Sequence, residues 1–576
     1  MGYRDSHPAF NFQRRSLLRA GGLGALAFTA AGRALAASRA EPDLVVFNAM
    51  VHTVDPRLPR AEAVAIAGDR IFAVGTNAEI RALATPRTRL LDARGMALLP
   101  GFIDCHLHPD GEVLLNDVLV GNPYDVEFVS IDTIVARLRE RASYTPPGEW
   151  IRGYFFDDTK VTDKRSLTRA DLDRVSTQHP VFVQHRGGHS MFFNSAAFAL
   201  AGITRDTPDP AGGTIARNAK GEPDGRVTDN AVDLFYKDSV RPRMEVPPSL
   251  ERASEAAAFM SKQFVRYGLT SVHHSGGSFA ALRAIRAQGR LVHRANYESD
   301  PAMVDSLIAA GIGSGFGDEW LRIGATAEHM ADGSFSERTM ALSRPYRGSN
   351  PPYSGNIAES QDAADAWVER MLKAGIRPNI HANGDVGIDR ALKAYERSAA
   401  LIARTSLRPK ITHCTYVNPD LIRRIKAIGA TPQPFTSYLY YNSDKFAFYG
   451  EEMMRNCLAF RDFLDAGIPV AAGSDFSPGP FAPLLGIQGM VTRTGWDGKT
   501  WGENQRVTVS EAIRIYTLHG AMASDEGHLK GSITPGKLAD FVLLEEDPHE
   551  VAHDRIRQIK VAATYTGGNE VYGGWT

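Results

Sequence analysis

The chain has 576 residues, of which 43% are hydrophobic and 23% charged, and its formal net charge at pH 7 is −1. These are the values of an ordinary globular protein, so they exclude a disordered, collagen-like or low-complexity chain. The balanced charge provides no basic footprint for nucleic acid. The three cysteines cannot form a disulfide framework.

The N-terminus has the features of an export signal. Arg14-Arg15 precede a short apolar run over 20–31, and Ala34-Leu35-Ala36 offers a cleavage site of small residues. The paired arginines are typical of a twin-arginine signal, so residues 1–36 are predicted to direct export to the periplasm or secretion. The alternative is a disordered basic arm. No later stretch reaches the roughly 18 apolar residues of a membrane helix, so no membrane anchor is expected.

Apolar, β-branched runs alternate with amphipathic segments along most of the chain, which predicts βαβ units and a parallel sheet. The predicted strands are 97–108, 269–274, 292–298, 321–330, 377–382, 410–414, 430–434 and 470–475. The predicted helices include 278–288, 361–374, 388–402, 419–428, 453–466 and 509–522. Eight such units indicate an α/β fold of the (β/α)8 TIM-like barrel type, with its active site at the carboxyl ends of the strands.

Two regions do not follow this repeat. Roughly 160 residues separate His108 from the second strand, far more than a normal βα connection. A subdomain at about 112–265 is therefore predicted to be inserted after strand 1 and to cover the barrel mouth. Residues 41–98 and 530–576 have strand-like alternation and are predicted to form one composite β-sandwich. The barrel would then comprise 99–529.

Histidines at the end of the first barrel strand indicate a metal site. In Asp104-Cys105-His106-Leu107-His108 the two histidines are at i and i+2, so in a strand they point the same way and can bind one divalent metal. Such a pair alone is weak, because surface histidines are the alternative. Potential ligands also end three further strands, namely His381, His413 and Asp475.

In combination, these motifs resemble the metal-dependent amidohydrolase superfamily. The matching segments, in chain order, are PGFIDCHLH, DGSFSERT, HANGD, THC, GSD and KGSITPGKLADFVLL. The resemblance runs from about Asp43 to the C-terminus and is closest to the amidohydrolase 3 branch, which includes N-substituted formamide deformylases. It implies a barrel with a β-sandwich built from both chain ends, and a small-molecule substrate. A homodimer is one oligomeric state that the sequence allows.

The resemblance also implies roles for individual residues. His106 and His108 would bind the more buried metal together with Asp475. His381 and His413 would bind a second metal, or one of them would orient the substrate in a one-metal form.

Glu328 stands where many relatives have a metal-bridging carboxylated lysine in a K-x-x-x-D-G pattern. A carboxylate can bridge two metals directly. Glu328 could instead pair with a nearby cation, and a strand shift of one residue would offer His329 in its place. The sequence therefore predicts one or two divalent ions. Zinc is the first choice for imidazole and carboxylate ligands, with Mn, Fe or Co also compatible.

The predicted function is hydrolysis of a C–N bond in a small amide, N-formyl, N-acyl or cyclic amide compound. A divalent metal would activate water and polarise the carbonyl, and Asp475 would act as general base and pass the proton to the leaving nitrogen. His413 or His274 would stabilise the oxyanion. The alternatives are deamination or ester hydrolysis on the same centre, and a non-catalytic exported regulatory or binding protein on this scaffold. A non-catalytic protein should have lost metal ligands, which this chain keeps.

Three further residues are candidates for substrate binding. They are His189 in a loop of the insertion, His274 at the end of strand 2, and Arg338 after strand 4, which could bind a carboxylate. The simpler alternatives are turn chemistry for His189, a hydrogen-bonded histidine pair for His274 and an internal ion pair for Arg338. Asn383 could orient His381.

Aromatic residues are concentrated after strand 7, at 435–449. Aromatic side chains at a barrel mouth suggest an apolar or aromatic substrate. The alternative is that they pack a lid against the insertion.

Overall fold

The computed structural model describes residues 41–476 and 478–574, so the export signal predicted over 1–36 lies outside the described residues. The strands are β1 (Leu44–Phe47), β2 (Met50–His52), β3 (Arg60–Ala61), β4 (Ala63–Ala67), β5 (Arg70–Gly75), β6 (Arg89–Asp92), β7 (Ala97–Pro100), β8 (Phe102–Leu107), β9 (Val118–Leu119), β10 (Ile151–Phe156), β11 (Val181–His185), β12 (Ser190–Phe193), β13 (Gly213–Arg217), β14 (Pro223–Asp229), β15 (Leu269–Ser275), β16 (Arg294–Ser299), β17 (Leu321–Thr326), β18 (His329–Met330), β19 (Asn379–Ala382), β20 (Lys410–His413), β21 (Thr431–Gln433), β22 (Phe541–Leu544), β23 (Val561–Thr566) and β24 (Asn569–Tyr572).

The α-helices are α1 (Asn77–Arg81), α2 (Gly111–Asn116), α3 (Ile131–Ala142), α4 (Arg169–Asp173), α5 (Ser195–Ala201), α6 (Leu250–Arg266), α7 (Phe279–Ala287), α8 (Pro301–Ala310), α9 (Gln361–Lys373), α10 (Asp385–Arg397), α11 (Ala399–Thr405), α12 (Pro419–Ile428), α13 (Tyr438–Tyr441), α14 (Gly450–Met454), α15 (Phe460–Asp465), α16 (Pro483–Thr492), α17 (Val509–Arg514) and α18 (Gly520–Ala523). A π-helical turn, Ile515–His519, joins the last two. Within the described ranges, no helix combines the length and the apolar character that crossing a membrane requires.

Two parallel sheets carry the strands that hold the predicted metal ligands. Their strand orders are β17-β16-β15-β8 and β18-β19-β20-β21. Isolated parallel bridges join Ala325 to Arg377 and Phe435 to Gly473, and the Cys105 amide donates to the carbonyl of Ala472 over 2.8 Å. The fold is therefore α/β with parallel sheets whose strands end close together, as predicted in outline.

Two predicted strands are each divided in the structure. The run 97–108 becomes β7, which pairs with β2 and β22, and β8, which pairs with β15. Pro100 cannot donate a ladder hydrogen bond, so the chain leaves one sheet there and enters the other. The run 321–330 becomes β17 and β18, with Glu328 between them. The eighth predicted strand, 470–475, is not a regular strand: it has an isolated bridge at Gly473, and single backbone hydrogen bonds join it to its neighbours on both sides.

Local signals set the helix ends. The Asn418 side chain accepts from the Leu421 amide, Pro419 is the first residue of α12, and Gly429 ends the helix with a φ of 74°. This helix matches the prediction because its cap, proline and glycine all stand at favoured positions. The predicted helices 388–402 and 453–466 are each divided into two, and Leu458 with a φ of 52° interrupts the second.

Both ends of the described chain meet beside the parallel sheets. One sheet has the order β24-β23-β22-β7-β2-β3 and another the order β5-β4-β1-β6, and buried apolar residues of the two share one cluster. The Arg294 guanidinium of β16 donates to both carboxylate oxygens of Asp540, over 2.7 and 2.9 Å. This buried ion pair connects the parallel strands to the terminal sheet.

The region predicted as an insertion contains a six-stranded sheet with the order β13-β14-β12-β11-β10-β9. The loop before β12 brings its residues to the ends of the parallel strands, since the His189 amide donates to Glu337 Oε1 over 2.9 Å. Helix α6, at the end of this region, packs against α7.

Candidate metal centre

The six predicted metal ligands come together where the parallel strands end. His106 lies in β8, His381 in β19 and His413 at the end of β20. His108 follows β8, Glu328 lies between β17 and β18, and Asp475 follows the bridge at Gly473. The sequence positions at four strand ends therefore correspond to one place in the fold.

The ligands form two groups of three. One group is His106, His108 and Asp475, the other is Glu328, His381 and His413, and within each group the ligand atoms lie within 4.8 Å of one another. In the first group, Asp475 Oδ1 is 3.8 Å from Nε2 of His106 and 3.4 Å from Nε2 of His108.

The Glu328 carboxylate lies between the two groups. Its Oε2 is 3.1 Å from His381 Nδ1 and 3.7 Å from His413 Nε2. On the other side, Oε2 is 3.7 Å from Nε2 of His106 and Oε1 is 3.6 Å from Nε2 of His108. One carboxylate thus faces all four imidazoles.

The alternative that offered His329 in place of Glu328 is wrong. The His329 ring stacks on Trp367 at a centroid distance of 4.0 Å, and its Nε2 lies 2.9 Å from Glu359. Successive residues on an extended chain point to opposite sides, so Glu328 and His329 cannot both face the centre.

The protonation states fit a cation held between the groups. Burial raises the pKa of Glu328, but the neighbouring histidines lower it more, and the pKa lies well below its usual value. Burial holds the pKa of His413 well below its usual value, so its imidazole is neutral. Burial also lowers the pKa of His108, but Asp475 and Glu328 raise it more, because the two carboxylates attract positive charge to this position.

A buried nitrogen that faces the centre also fits a metal. His106 Nε2, which is directed at Glu328 and Asp475, has no hydrogen-bond partner within the described part of the chain. Neutral imidazoles together with carboxylates are a typical donor set for a divalent ion. The residues present therefore fit one or two divalent metal ions.

The backbone is strained where two ligands are held. His413 has a φ of 67° and Asp475 a φ of 52°. Such conformations cost free energy in residues other than glycine and concentrate at functional sites.

Gly473 allows close packing beneath the ligands. A Cβ atom there would lie 2.9 Å from the Phe435 ring and 3.3 Å from the His106 Cβ. The Phe435 ring stacks on His106 with a centroid distance of 5.5 Å and an interplanar angle of 13°. The glycine thus lets an aromatic ring pack against His106, one of the predicted metal ligands.

Tyr438 contacts Asp475 directly. Its hydroxyl, at the start of α13, donates to Asp475 Oδ2 over 2.7 Å. The sequence indicated Tyr438 only as one of several aromatic residues. A hydrogen bond to the proposed general base has no signal in a single sequence, because the two residues are 37 positions apart.

Other side chains contact the second ring nitrogens of two predicted ligands, His381 and His106. The Asn383 amide lies 3.0 Å from His381 Nε2 and also bonds to the Gly333 carbonyl. Glu298, at the end of β16, lies 3.2 Å from His106 Nδ1. In the sequence, Glu298 ends a predicted strand but belongs to no motif that would assign it a role.

Of the predicted substrate contacts, His189 lies at the centre. Its ring is 5.5 Å from the His381 ring, and its Nδ1 is 2.9 Å from Asp229 Oδ1. Burial lowers the pKa of His189, but Asp229 and Glu337 raise it, to about 9. His189 is therefore a cationic group held over the metal ligands by the insertion.

His274 and Arg338 are not brought to the centre. The His274 ring packs against Phe264, and its Nε2 lies 2.8 Å from His293 Nε2. Its neighbour in β15, His273, lies 3.4 Å from Lys410 Nζ on the side of the metal ligands, so the His274 side chain points to the opposite face of the strand, toward α6. Arg338 is exposed and its guanidinium lies 4.2 Å from the centre of the Phe448 ring. The expectation that they contact substrate is corrected accordingly.

Comparisons with known proteins identify the family. A model of the amidohydrolase family matches residues 89–572, and the chain belongs to this family. It is 29% identical over 547 residues to an N-substituted formamide deformylase of Arthrobacter pascens, covering 91% of this chain and 97% of that protein. It is 28% identical over 541 residues to the protein YtcJ of Bacillus subtilis, covering 91% and 98% of the two chains.

A solved structure shares the fold. The crystal structure of a metal-dependent hydrolase from Pyrococcus horikoshii superposes with a TM-score of 0.69 at 22% identity, covering 88% of this chain and 99% of that one. The family match over most of the chain shows that it is an enzyme, an amidohydrolase that acts on C–N bonds, as predicted.

Proposed function

We propose that this enzyme hydrolyses the N-acyl bond of a small amide, with N-formyl compounds as the first candidates, at a two-metal centre bridged by Glu328. The observation that carries the proposal is the position of the Glu328 carboxylate, 3.1–3.7 Å from the nearest nitrogens of four histidines. Ligands of this type suit zinc, and manganese, iron or cobalt are alternatives.

The fold part of the proposal is a closed (β/α)8 barrel with a β-sandwich built from both chain ends. The parallel bridges from Ala325 to Arg377 and from Phe435 to Gly473, with the hydrogen bond from Cys105 to Ala472, support closure. The strand order β22-β7-β2, which places the C-terminal strand beside two N-terminal ones, supports the sandwich. For the boundaries we keep the ranges predicted from the sequence, which are 41–98 with 530–576 for the β-sandwich and 99–529 for the barrel.

Divalent ions at these ligands supply positive charge, which acidifies water and polarises a carbonyl oxygen. Asp475 is placed to take the proton from the attacking water, because Tyr438 holds its Oδ2 while Oδ1 faces His106 and His108. The water oxygen adds to the carbonyl carbon. The C–N bond then breaks, and the proton on Asp475 passes to the leaving nitrogen, so that the products are a carboxylic acid and an amine.

His189 is proposed to bind the substrate. Its Nδ1 is engaged with Asp229, so its Nε2 is available to a substrate oxygen over the centre. Aromatic rings flank the same place: Phe435 contacts His106 and His413, and Tyr438 packs on Phe435. These rings favour a substrate with an apolar or aromatic substituent on nitrogen.

The experiment is a product analysis with zinc-loaded protein. The enzyme is incubated separately with N-(2-phenylethyl)formamide, the corresponding acetamide, the corresponding formate ester, and cytosine as an aromatic amine whose amino group can be released as ammonia by hydrolysis. The proposal predicts release of formate and phenylethylamine, with the formamide turned over faster than the acetamide because the smaller acyl group fits under His189.

Two results would contradict it. Release of ammonia from the aromatic amine, without cleavage of either amide, would indicate a deaminase. Turnover of the ester alone would indicate an esterase on the same ligands.

A further inference from the structure

A buried carboxylate lies directly behind the first metal ligand. Glu298 and His106 are both fully buried, and Glu298 Oε2 is 3.2 Å from His106 Nδ1. The opposite ring nitrogen of His106, Nε2, faces Glu328 and Asp475 and has no hydrogen-bond partner among the residues described. The two ring nitrogens thus have different environments, one bonded to a carboxylate and the other directed at the centre.

A buried lysine balances the charge of this carboxylate. Lys410, at the start of β20, forms an ion pair with Glu298, and its side chain is 1% exposed. Its ammonium also donates to the Cys105 carbonyl over 3.3 Å. Cys105 immediately precedes His106, so Lys410 bonds both to the carboxylate behind His106 and to the backbone next to it.

A contribution to stability does not explain the buried Glu298–Lys410 pair well. Removing two charges from water costs more than their mutual attraction regains unless the geometry is very good, and apolar residues of similar size are often at least as stabilising. A carboxylate bonded to the distal nitrogen of a metal-ligating histidine has another effect. It fixes the proton on that nitrogen, orients the ring and makes the other nitrogen a stronger ligand.

We propose that Glu298 and Lys410 are positioning residues for the metal centre. Glu298 holds the proton of His106 on Nδ1, so that the Nε2 lone pair faces the centre. Lys410 pairs with Glu298 and holds its carboxylate in place. This inference rests on the proposed metal centre, and it assigns function to two residues that touch neither metal nor substrate.

The test measures the zinc affinity of metal-free protein by competition with a chromophoric chelator, for the wild type and for two variants. Glu298→Gln removes the carboxylate. The double variant Glu298→Gln/Lys410→Met removes both charges, so that no unpaired charge is left buried. A matched control is Glu526→Gln/Lys530→Met, because Glu526 and Lys530 form another buried pair, 2.9 Å apart with side chains 2% and 5% exposed.

The expected result is a loss of zinc affinity of about 10- to 100-fold in both Glu298 variants. The double variant should regain thermal stability, measured on metal-free protein, relative to Glu298→Gln, but it should not regain affinity. The control should bind zinc as the wild type does.

Wild-type affinity in the double variant would overturn the inference, because the pair would then act only through charge balance in the core. An equal loss in the control would overturn it as well, since the effect would not be specific to His106. A wild-type protein that binds no zinc would instead contradict the proposed metal centre itself.

Discussion

Three separate constraints fix the position of the Asp475 carboxylate. Its backbone is in the left-handed region with a φ of 52°, its amide donates to the His106 carbonyl over 3.0 Å, and Tyr438 donates to its Oδ2. These constraints leave Oδ1 directed at His106 and His108. A carboxylate held in this way suits a residue that moves a proton within the site.

We expect Asp475→Asn to lower kcat/KM for amide hydrolysis by about 10²- to 10⁴-fold, because a general base of this kind contributes that much. The amide is nearly isosteric with the carboxylate, so the melting temperature of the metal-free protein should change little. Steady-state kinetics and thermal denaturation measure both quantities. A folded variant with wild-type turnover would remove Asp475 from the mechanism.

Tyr438→Phe should lower kcat by about 10- to 100-fold and leave KM nearly unchanged, because a hydrogen bond to a charged group contributes about 1.5–3 kcal/mol. The matched control is Tyr440→Phe, whose ring packs on Arg557 instead. Equal kinetics for the two variants would mean that the bond to Asp475 has no part in turnover.

The residues that meet at the candidate metal centre could be predicted from the sequence, and the residues that contact them from outside the centre could not. His106, His108, His381, His413 and Asp475 stand at strand ends in recognisable motifs, so topology alone brings them together. Glu298, Lys410 and Asp229 act through side-chain contacts between distant segments, which no local pattern records. His274 was misplaced because adjacent residues in a strand face opposite sides, and the sequence did not tell which of His273 and His274 faces inward.

At the scale of elements, the carboxyl ends of the parallel strands determine where the predicted metal ligands meet. Most strand and helix positions followed from hydrophobic periodicity, since the buried strands and amphipathic helices differ clearly in period. The division of two predicted strands could not be predicted from this periodicity. At Pro100 the chain passes from one sheet to another without losing its apolar character, so one run in the sequence corresponds to two strands. Near Glu328 a second run also continues into the next sheet, here through polar residues.

The segment that carries Asp475 provides a test at this scale. Gly473→Ala should lower the free energy of unfolding by about 1–3 kcal/mol, because the added Cβ would press on the Phe435 ring. Zinc affinity should fall too, since Phe435 stacks on His106. Chemical denaturation and chelator competition measure the two effects. A variant that equals the wild type in both would show that the close packing around Gly473 is not needed.

At the scale of the whole molecule, the two chain ends support the parallel sheets through buried contacts. The Arg294–Asp540 pair is the clearest, with side chains 2% and 4% exposed. The meeting of the two ends could be predicted from their similar strand patterns. The ion pair could not, because 246 residues separate its members.

Removing one member of this pair should therefore weaken the whole fold. Arg294→Met should lower the free energy of unfolding by about 3–5 kcal/mol, because it leaves the Asp540 charge buried without its partner. The double variant Arg294→Met/Asp540→Asn should recover part of that loss. Urea denaturation of metal-free protein measures both. Equal stability of the single variant and the wild type would refute the coupling of the two regions.

The most direct test of the account is the number of metal ions per chain in protein purified without chelator, for the wild type and for Glu328→Ala. The position of Glu328 between two groups of ligands predicts close to two ions in the wild type and a clear fall in the variant. One ion per chain, unchanged in Glu328→Ala, would contradict the bridged centre and leave Glu328 a structural role.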